Sequence, residues 1–166
     1  MKLKALSILL ALSSATLSLS AADKVHQSVE AEESKTSGGE YAINVGVMET
    51  QEKEGATLAR AVATAGQWSF VSYWIGIPAP AGKAIVRFRV YNTTEETAKY
   101  VMYIKTEESQ KMIGELAVPA DAPKSAFVDV DIPVEMDVEW SGIILKKAVA
   151  DEVPSVWLDS ISVILK

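Results

Sequence analysis

The chain has 166 residues, with 16 Lys and Arg against 22 Asp and Glu, a net charge of −6 and no cysteine. Disulfides and thiolate chemistry are excluded, so an exported domain of this sequence must rest on its core alone. An acidic chain with no basic cluster also argues against nucleic acid and anionic membrane partners.

The first element is the leader "MKLKALSILLALSSATLSLSAADK". Lys2 and Lys4 make a positive start, Leu6 to Leu19 is a short apolar stretch, and Ser20 and Ala22 are small residues placed for cleavage. That layout predicts a signal peptide over 1–22, cut near Ala22, and a periplasmic or secreted protein. The apolar run is shorter than the roughly 20 residues that span a bilayer, and no second hydrophobic span follows it. Without a lipid-attachment cysteine, export is expected to release a soluble protein; the lack of disulfides leans toward a bacterial source. Cleavage removes two lysines and no acid, leaving a mature charge of −8.

Residues 23–40, "DKVHQSVEAEESKTSGGE", hold few large apolar groups and read as a disordered polar tail. The single histidine, His26, lies in it and is not expected to be catalytic. The domain is expected over 41–166. "YAINVGVME" alternates as a half-buried strand; in "TQEKEGATLARAVATAG", Leu58, Val62 and Ala65 fit a helix face and Leu58, Arg60, Val62 and Thr64 a strand, and the β-like remainder of the chain favours a turn at Lys53 to Gly55 and then a strand. "QWSFVSYWIGI" is apolar on both phases, with Trp68, Phe70 and Trp74 on one and Val71, Tyr73 and Ile75 on the other. Such a strand is covered on both sides, or its outer side binds something. In "KAIVRFRVYN", Val86, Phe88 and Val90 should face the core, and Arg87, Arg89 and Tyr91 should face out. "KYVMYIKT" and "MIGELAVP" are further strands. "AFVDVDIP" turns Asp129 and Asp131 outward, and Asn92-Thr93-Thr94 fits a glycosylation acceptor. "DVEWSGIILKKA" and "SVWLDSISVILK" close the chain. In the last, a period of two puts Trp157, Asp159, Ile161 and Val163 on one face, with Ser160 and Ser162 on the other. The total is about eight or nine short strands with no long amphipathic helix. It predicts an all-β fold, an antiparallel β-sandwich of jelly-roll type.

"IPAPAGKAIVRFRVYN", "SAFVDVDIP" and "VWLDSISVIL" resemble the corresponding strands of the galactose-binding-like jelly-roll superfamily, to which many non-catalytic carbohydrate-binding modules belong. Ala84 departs from the aromatic common after the turn glycine, and no signature of one sugar-binding subfamily is present. The resemblance implies an exported binding module for a glycan. The alternative is a structural or protein-interaction module of the cell envelope or of a secreted assembly.

Asp159, in phase with apolar residues, needs a partner. It can accept backbone N–H bonds, pair with Arg87 or Arg89, or bind a cation. Several modules of the superfamily hold a structural calcium between first and last strands, and that resemblance implies Glu49 as a second oxygen ligand beside Asp159. The outward set Arg87, Arg89, Tyr91, Asp129 and Asp131 reads either as a sugar-binding surface or as a cross-strand ion ladder. Tyr73 is the candidate stacking platform, while Trp140 and Trp157 read as core. The remaining acids cluster in turns, and no Ser-His-Asp set, Gly-rich phosphate loop or paired cleft carboxylates stand out. A hydrolase is therefore the third class, not the leading one.

Overall fold

The computed structural model describes residues 24–32, 47–62, 70–148 and 154–166. They form ten strands: β1 (Val25–Glu30), β2 (Val47–Lys53), β3 (Ala56–Val62), β4 (Phe70–Ile75), β5 (Gly82–Asn92), β6 (Tyr100–Lys105), β7 (Gln110–Leu116), β8 (Ala126–Met136), β9 (Gly142–Ala148) and β10 (Trp157–Leu165). One sheet runs β2-β3-β10-β5-β8, with β1 also paired to β10; the other runs β4-β9-β6-β7. Neighbouring strands in both are antiparallel. The expected sandwich is present, with one strand more than the sequence tally.

The extra strand is β1. It lies inside 23–40, the segment expected to be a disordered tail, and corrects that expectation for residues 25–30. The reason is the free edge of β10 beyond β3. β3 meets β10 at the single pair Leu158–Ala59, while β1 takes Ser160 to Ile164. Polar side chains do not disqualify β1, because an edge strand gains its ladder bonds from the backbone. It is further tied where Ala31 donates its N–H to the Asp159 carbonyl at 2.8 Å. The opening of "YAINVGVME" (41–46) and Trp68 lie outside the described residues.

Local sequence explains the other elements. Glu54 and Gly55 both have positive φ, 52° and 84°, in a two-residue loop between the paired Lys53 and Ala56. That is the hairpin turn whose twist matches its strands. Pro133 is tolerated in β8 because β8 is an edge strand and its missing N–H faces no neighbour. Asn92 is 2% exposed, and its Nδ2 donates to the Ala122 and Pro123 carbonyls while its Oδ1 accepts from Lys124. It clamps the β7–β8 loop, so it is not the accessible acceptor its tripeptide suggests.

Between the sheets lie Val86, Phe88 and Val90 of β5, Tyr100, Met102 and Ile104 of β6, Val71, Tyr73 and Ile75 of β4, and Leu158, Ile161 and Val163 of β10, all nearly or wholly buried. A fully buried side chain of this size stabilises the fold by about 1.5–3 kcal/mol.

Candidate functional site

The outer face of the larger sheet holds most of the residues singled out from sequence, and they are engaged with each other. Arg87 lies opposite Asp131, and its Nε and Nη2 donate to the two carboxylate oxygens at 2.7 and 2.8 Å. Asp129 approaches the same guanidinium at 3.8 Å. This hydrogen bond from Arg87 holds the Asp131 carboxyl below its usual range. Arg89 pairs with Asp159 at 3.2 Å and lies over the Phe127 ring. Tyr91 does point away from the main core, but it is 4% exposed, in a second cluster with Leu58 and Trp157. Arg87, Arg89, Asp129 and Asp131 thus form a cross-strand ion ladder together with Asp159, and Tyr91 is buried beside it.

Asp159 owes its place to a β-bulge. Leu158 pairs with Val90 and Ser160 with Arg89, so Asp159 is an extra residue with no opposite on β5. The bulge shifts the phase of the strand. Trp157 lies opposite Tyr91 on the outer face, while Leu158, Ile161 and Val163 face the main core. The expected grouping of Trp157 with Ile161 and Val163 is thus corrected; Trp157 is buried under Arg60, whose guanidinium sits 4.2 Å from the ring centre. Glu49 accepts from Arg60 at 2.8 and 2.9 Å. Each proposed calcium ligand thus already carries an arginine. No group of three acidic, His or Cys side chains among the described residues could hold a metal. That donor set does not fit an ion wanting six to eight oxygens.

On β4 the phases are reversed from the expectation. Tyr73 is wholly buried, and its hydroxyl donates to the Ala31 carbonyl. It bridges the two sheets and cannot stack on a ligand. Its neighbour Trp74 takes the outer side. Trp74 pairs with Ile144 of β9, Ile144 with Tyr103 of β6, and Tyr103 with Met112 of β7. The smaller sheet thus carries a row of four apolar side chains across its outer face. Adjacent strands are about 4.8 Å apart, so the row is about 14 Å long. Trp74 and Tyr103 are half-buried, Ile144 is covered, and Met112 is exposed. The Trp74 indole reaches Gly142 of β9: its Nε1 is 3.1 Å from where a Cβ on that glycine would stand. Lys146 lies 4.7 Å from the Tyr103 ring centre and donates to Gln110 at 3.3 Å. The sequence did carry the signal for this face. Ser72 and Gly76 share Trp74's phase, and Lys105 shares Tyr103's, whereas Val71 and Ile75 share Tyr73's.

Beyond Gly142 and Lys105 the row gives way to an open groove of about 1180 Å³ at one end of the sandwich. Pro78 and Pro80 come from the β4–β5 loop, Thr106 to Ser109 from the β6–β7 turn, Val138 to Ser141 from the β8–β9 loop, and His26 and Gln27 from β1. Backbone bonds stitch these loops together: Ala79 and Trp140 exchange bonds at 3.0 and 3.1 Å, and Ser141 donates to Lys105 at 2.8 Å. The groove is therefore preformed. Trp140 is 3% exposed and its Nε1 has no partner.

No family model matches the sequence, and no curated protein matches it. Solved structures do match. The C-terminal CBM6 of LamC, a marine laminarinase from Zobellia galactanivorans, is 18% identical with a TM-score of 0.56, over 83% of this chain and 98% of that one. The BiXyn10A CBM1 is 12% identical with a TM-score of 0.56, over 87% and 100%. The carbohydrate-binding module CBM6cm-2 of Cellvibrio mixtus lichenase 5A, solved with cellotriose, is 14% identical with a TM-score of 0.52, over 86% and 99%. At such identities the likeness is one of architecture: the chain has the jelly-roll sandwich fold of carbohydrate-binding modules.

Proposed function

We propose that the protein is an exported, non-catalytic glycan-binding module that holds its ligand on the outer face of the four-stranded sheet. The observation that carries this reading is the cross-strand row Trp74–Ile144–Tyr103–Met112, with the Trp74 Nε1 beside Gly142. A pyranose ring has an apolar C–H face that stacks on such an indole, and hydroxyls around its edge that hydrogen-bond to flanking polar groups. Ser72, Lys105, Gln110 and Lys146 flank the row. The fold is shared with modules of which one was solved with cellotriose.

Two alternatives are weaker. A protein-docking module needs a broad apolar patch; here Met112 is the one strongly exposed member of a single row. A glycosidase needs one carboxylic acid kept protonated by an apolar site; the groove's Glu107, Glu108 and Glu139 are all exposed.

The test is affinity electrophoresis and calorimetry against a panel of soluble polysaccharides, with wild type, Trp74→Phe and Trp74→Ala. Wild type should bind at least one glycan, Trp74→Ala about tenfold or more weakly, and Trp74→Phe in between. The chain length of the bound polysaccharide should stay constant on incubation. A wild type that retards on no glycan, or a Trp74→Ala protein that is folded and binds undiminished, would overturn the reading.

A further inference from the structure

We infer that Met112 is an oxidation switch at the exposed end of the outer row: a peroxide converts its thioether to a sulfoxide, and the row loses its apolar end. The site follows from the fold alone, while its effect on binding rests on the glycan reading above.

Three observations carry it. First, a β-bulge aims this side chain outward. By phase Met112 belongs with Gly114 and Leu116, which face the larger sheet: Leu116 is wholly buried, and a Cβ on Gly114 would meet Ile132 of β8 at 3.8 Å. But Met102 pairs with Gly114 and Tyr103 with Met112, so Ile113 is an extra residue with no opposite on β6. Bulges re-aim the side chains beside them. Ile113 packs against the core, and Met112 is left on the outer face at 64% exposure. Second, Met112 is the one accessible sulfur among the described residues. Met48, Met102 and Met136 are buried, Met1 begins the leader, and the chain has no cysteine. With no thiol to react first, a peroxide meets Met112 before any other sulfur of the domain. Third, the position has consequences. Met112 stands opposite Tyr103 on β7, the outermost strand of its sheet, where an oxidant reaches it and where the row ends. The sulfur lone pair attacks one peroxide oxygen; the S–O bond forms as the O–O bond breaks, and the other oxygen leaves as water after proton transfer. Sulfur is oxidised by two electrons and the peroxide reduced by two. The sulfoxide is polar, so the apolar surface offered to a sugar's C–H face then stops at Tyr103. Reversal needs thiols from outside this chain: a methionine sulfoxide reductase releases the oxygen as water while two thiols become a disulfide.

The experiment treats the folded protein with hydrogen peroxide and locates the added oxygen by peptide mass mapping. The thermal midpoint and the calorimetric affinity for a glycan bound by the untreated protein are followed on the same samples. Met112→Leu is treated in parallel, with its own untreated affinity as the baseline. The expected result is oxidation of Met112 about tenfold or more faster than of Met48, Met102 or Met136, with the midpoint unchanged because the core keeps its thioethers. Affinity should fall about fivefold with the apolar area lost, and return after methionine sulfoxide reductase and dithiothreitol. In treated Met112→Leu it should stay at its baseline. A first oxygen on a buried methionine, or a midpoint that falls as the first oxygen enters, overturns the site. Complete oxidation of Met112 with unchanged affinity overturns the switch and leaves glycan binding in place. Absence of glycan binding by the untreated protein overturns the switch together with the glycan reading, while the mapped oxygen still decides the site.

Discussion

Gly142→Ala tests the geometry on which the candidate site depends. Gly142 opens β9, directly after the groove residues Trp140 and Ser141. A Cβ built there stands 2.5 Å from the Ile75 carbonyl oxygen, 3.4 Å from the Ile75 carbonyl carbon and 3.1 Å from the Trp74 Nε1. The indole is a side chain and can swing away. The carbonyl cannot, because β4 and β9 are bonded along Phe70 to Ile75. Separating them by even about half an ångström weakens ladder bonds in a packed sheet, and overpacking of this kind costs about 1–3 kcal/mol. For a domain of this size that lowers the melting midpoint by about 3–15 °C. Gly114→Ala is the control. Its Cβ would meet Ile132 Cγ2 at 3.8 Å, an ordinary contact, in a strand where alanine restricts the unfolded chain more than glycine does. It should leave the midpoint unchanged or raise it slightly. The assay is differential scanning calorimetry on both variants, with tryptophan emission and glycan affinity as second readouts. Gly142→Ala should lift Trp74 off the sheet, shift the emission and weaken binding. A Gly142→Ala protein that melts within 1 °C of wild type, or melts no lower than Gly114→Ala, would refute the packing of β4 on β9 described here.

Three further outcomes follow from single contacts. Tyr73→Phe removes the hydroxyl donor to the buried Ala31 carbonyl and should cost about 1–2 kcal/mol, with faster amide exchange in β1 than elsewhere, because that bond joins β1's end to the opposite sheet. Asp131 has its carboxyl held below the ordinary 3.8, so its contribution is complete above that value and is lost as pH falls through the folded value. Arg87→Met should therefore flatten the acid side of the stability curve below pH 4, by no more than about 1 kcal/mol for so exposed a pair; an unaltered acid limb in chemical denaturation would contradict the ladder. Addition of EDTA should leave the thermal midpoint where it is, since Glu49 and Asp159 face Arg60 and Arg89; a fall of several degrees, restored by calcium, would show that other oxygens complete a site.

The strand architecture was legible because alternation with period two is a local property. Arg87 and Arg89 between Val86, Phe88 and Val90 declare their faces with no knowledge of neighbours, and the same holds for Asp129 and Asp131. What failed was whatever depends on a partner strand. β1 has no apolar stripe of its own, so only the vacant edge of β10 reveals it. The bulge at Asp159 is a relation between two strands, and a strict period of two read through it sends Trp157 to the wrong sheet face. In retrospect an acid in phase with Ile161 and Val163 was the mark of that slip: a burial conflict on paper is settled more cheaply by one extra residue than by a buried charge.

The same limit moved the candidate site. Both phases of β4 are apolar, so its sequence offers Tyr73 as a candidate outer ring, whereas the structure buries Tyr73 with Val71 and Ile75 and leaves Trp74 half-buried. Gly142 then completes the arrangement from 68 residues away in sequence, by leaving room for the indole Nε1 where a Cβ would stand. Neither residue alone is a binding signal. A tryptophan on an outer strand face is as often structural, and a glycine at a strand start is as often a kink. Their coincidence across two hydrogen-bonded strands, in line with Ile144, Tyr103 and Met112, is what makes a platform, and it exists only once the register is known.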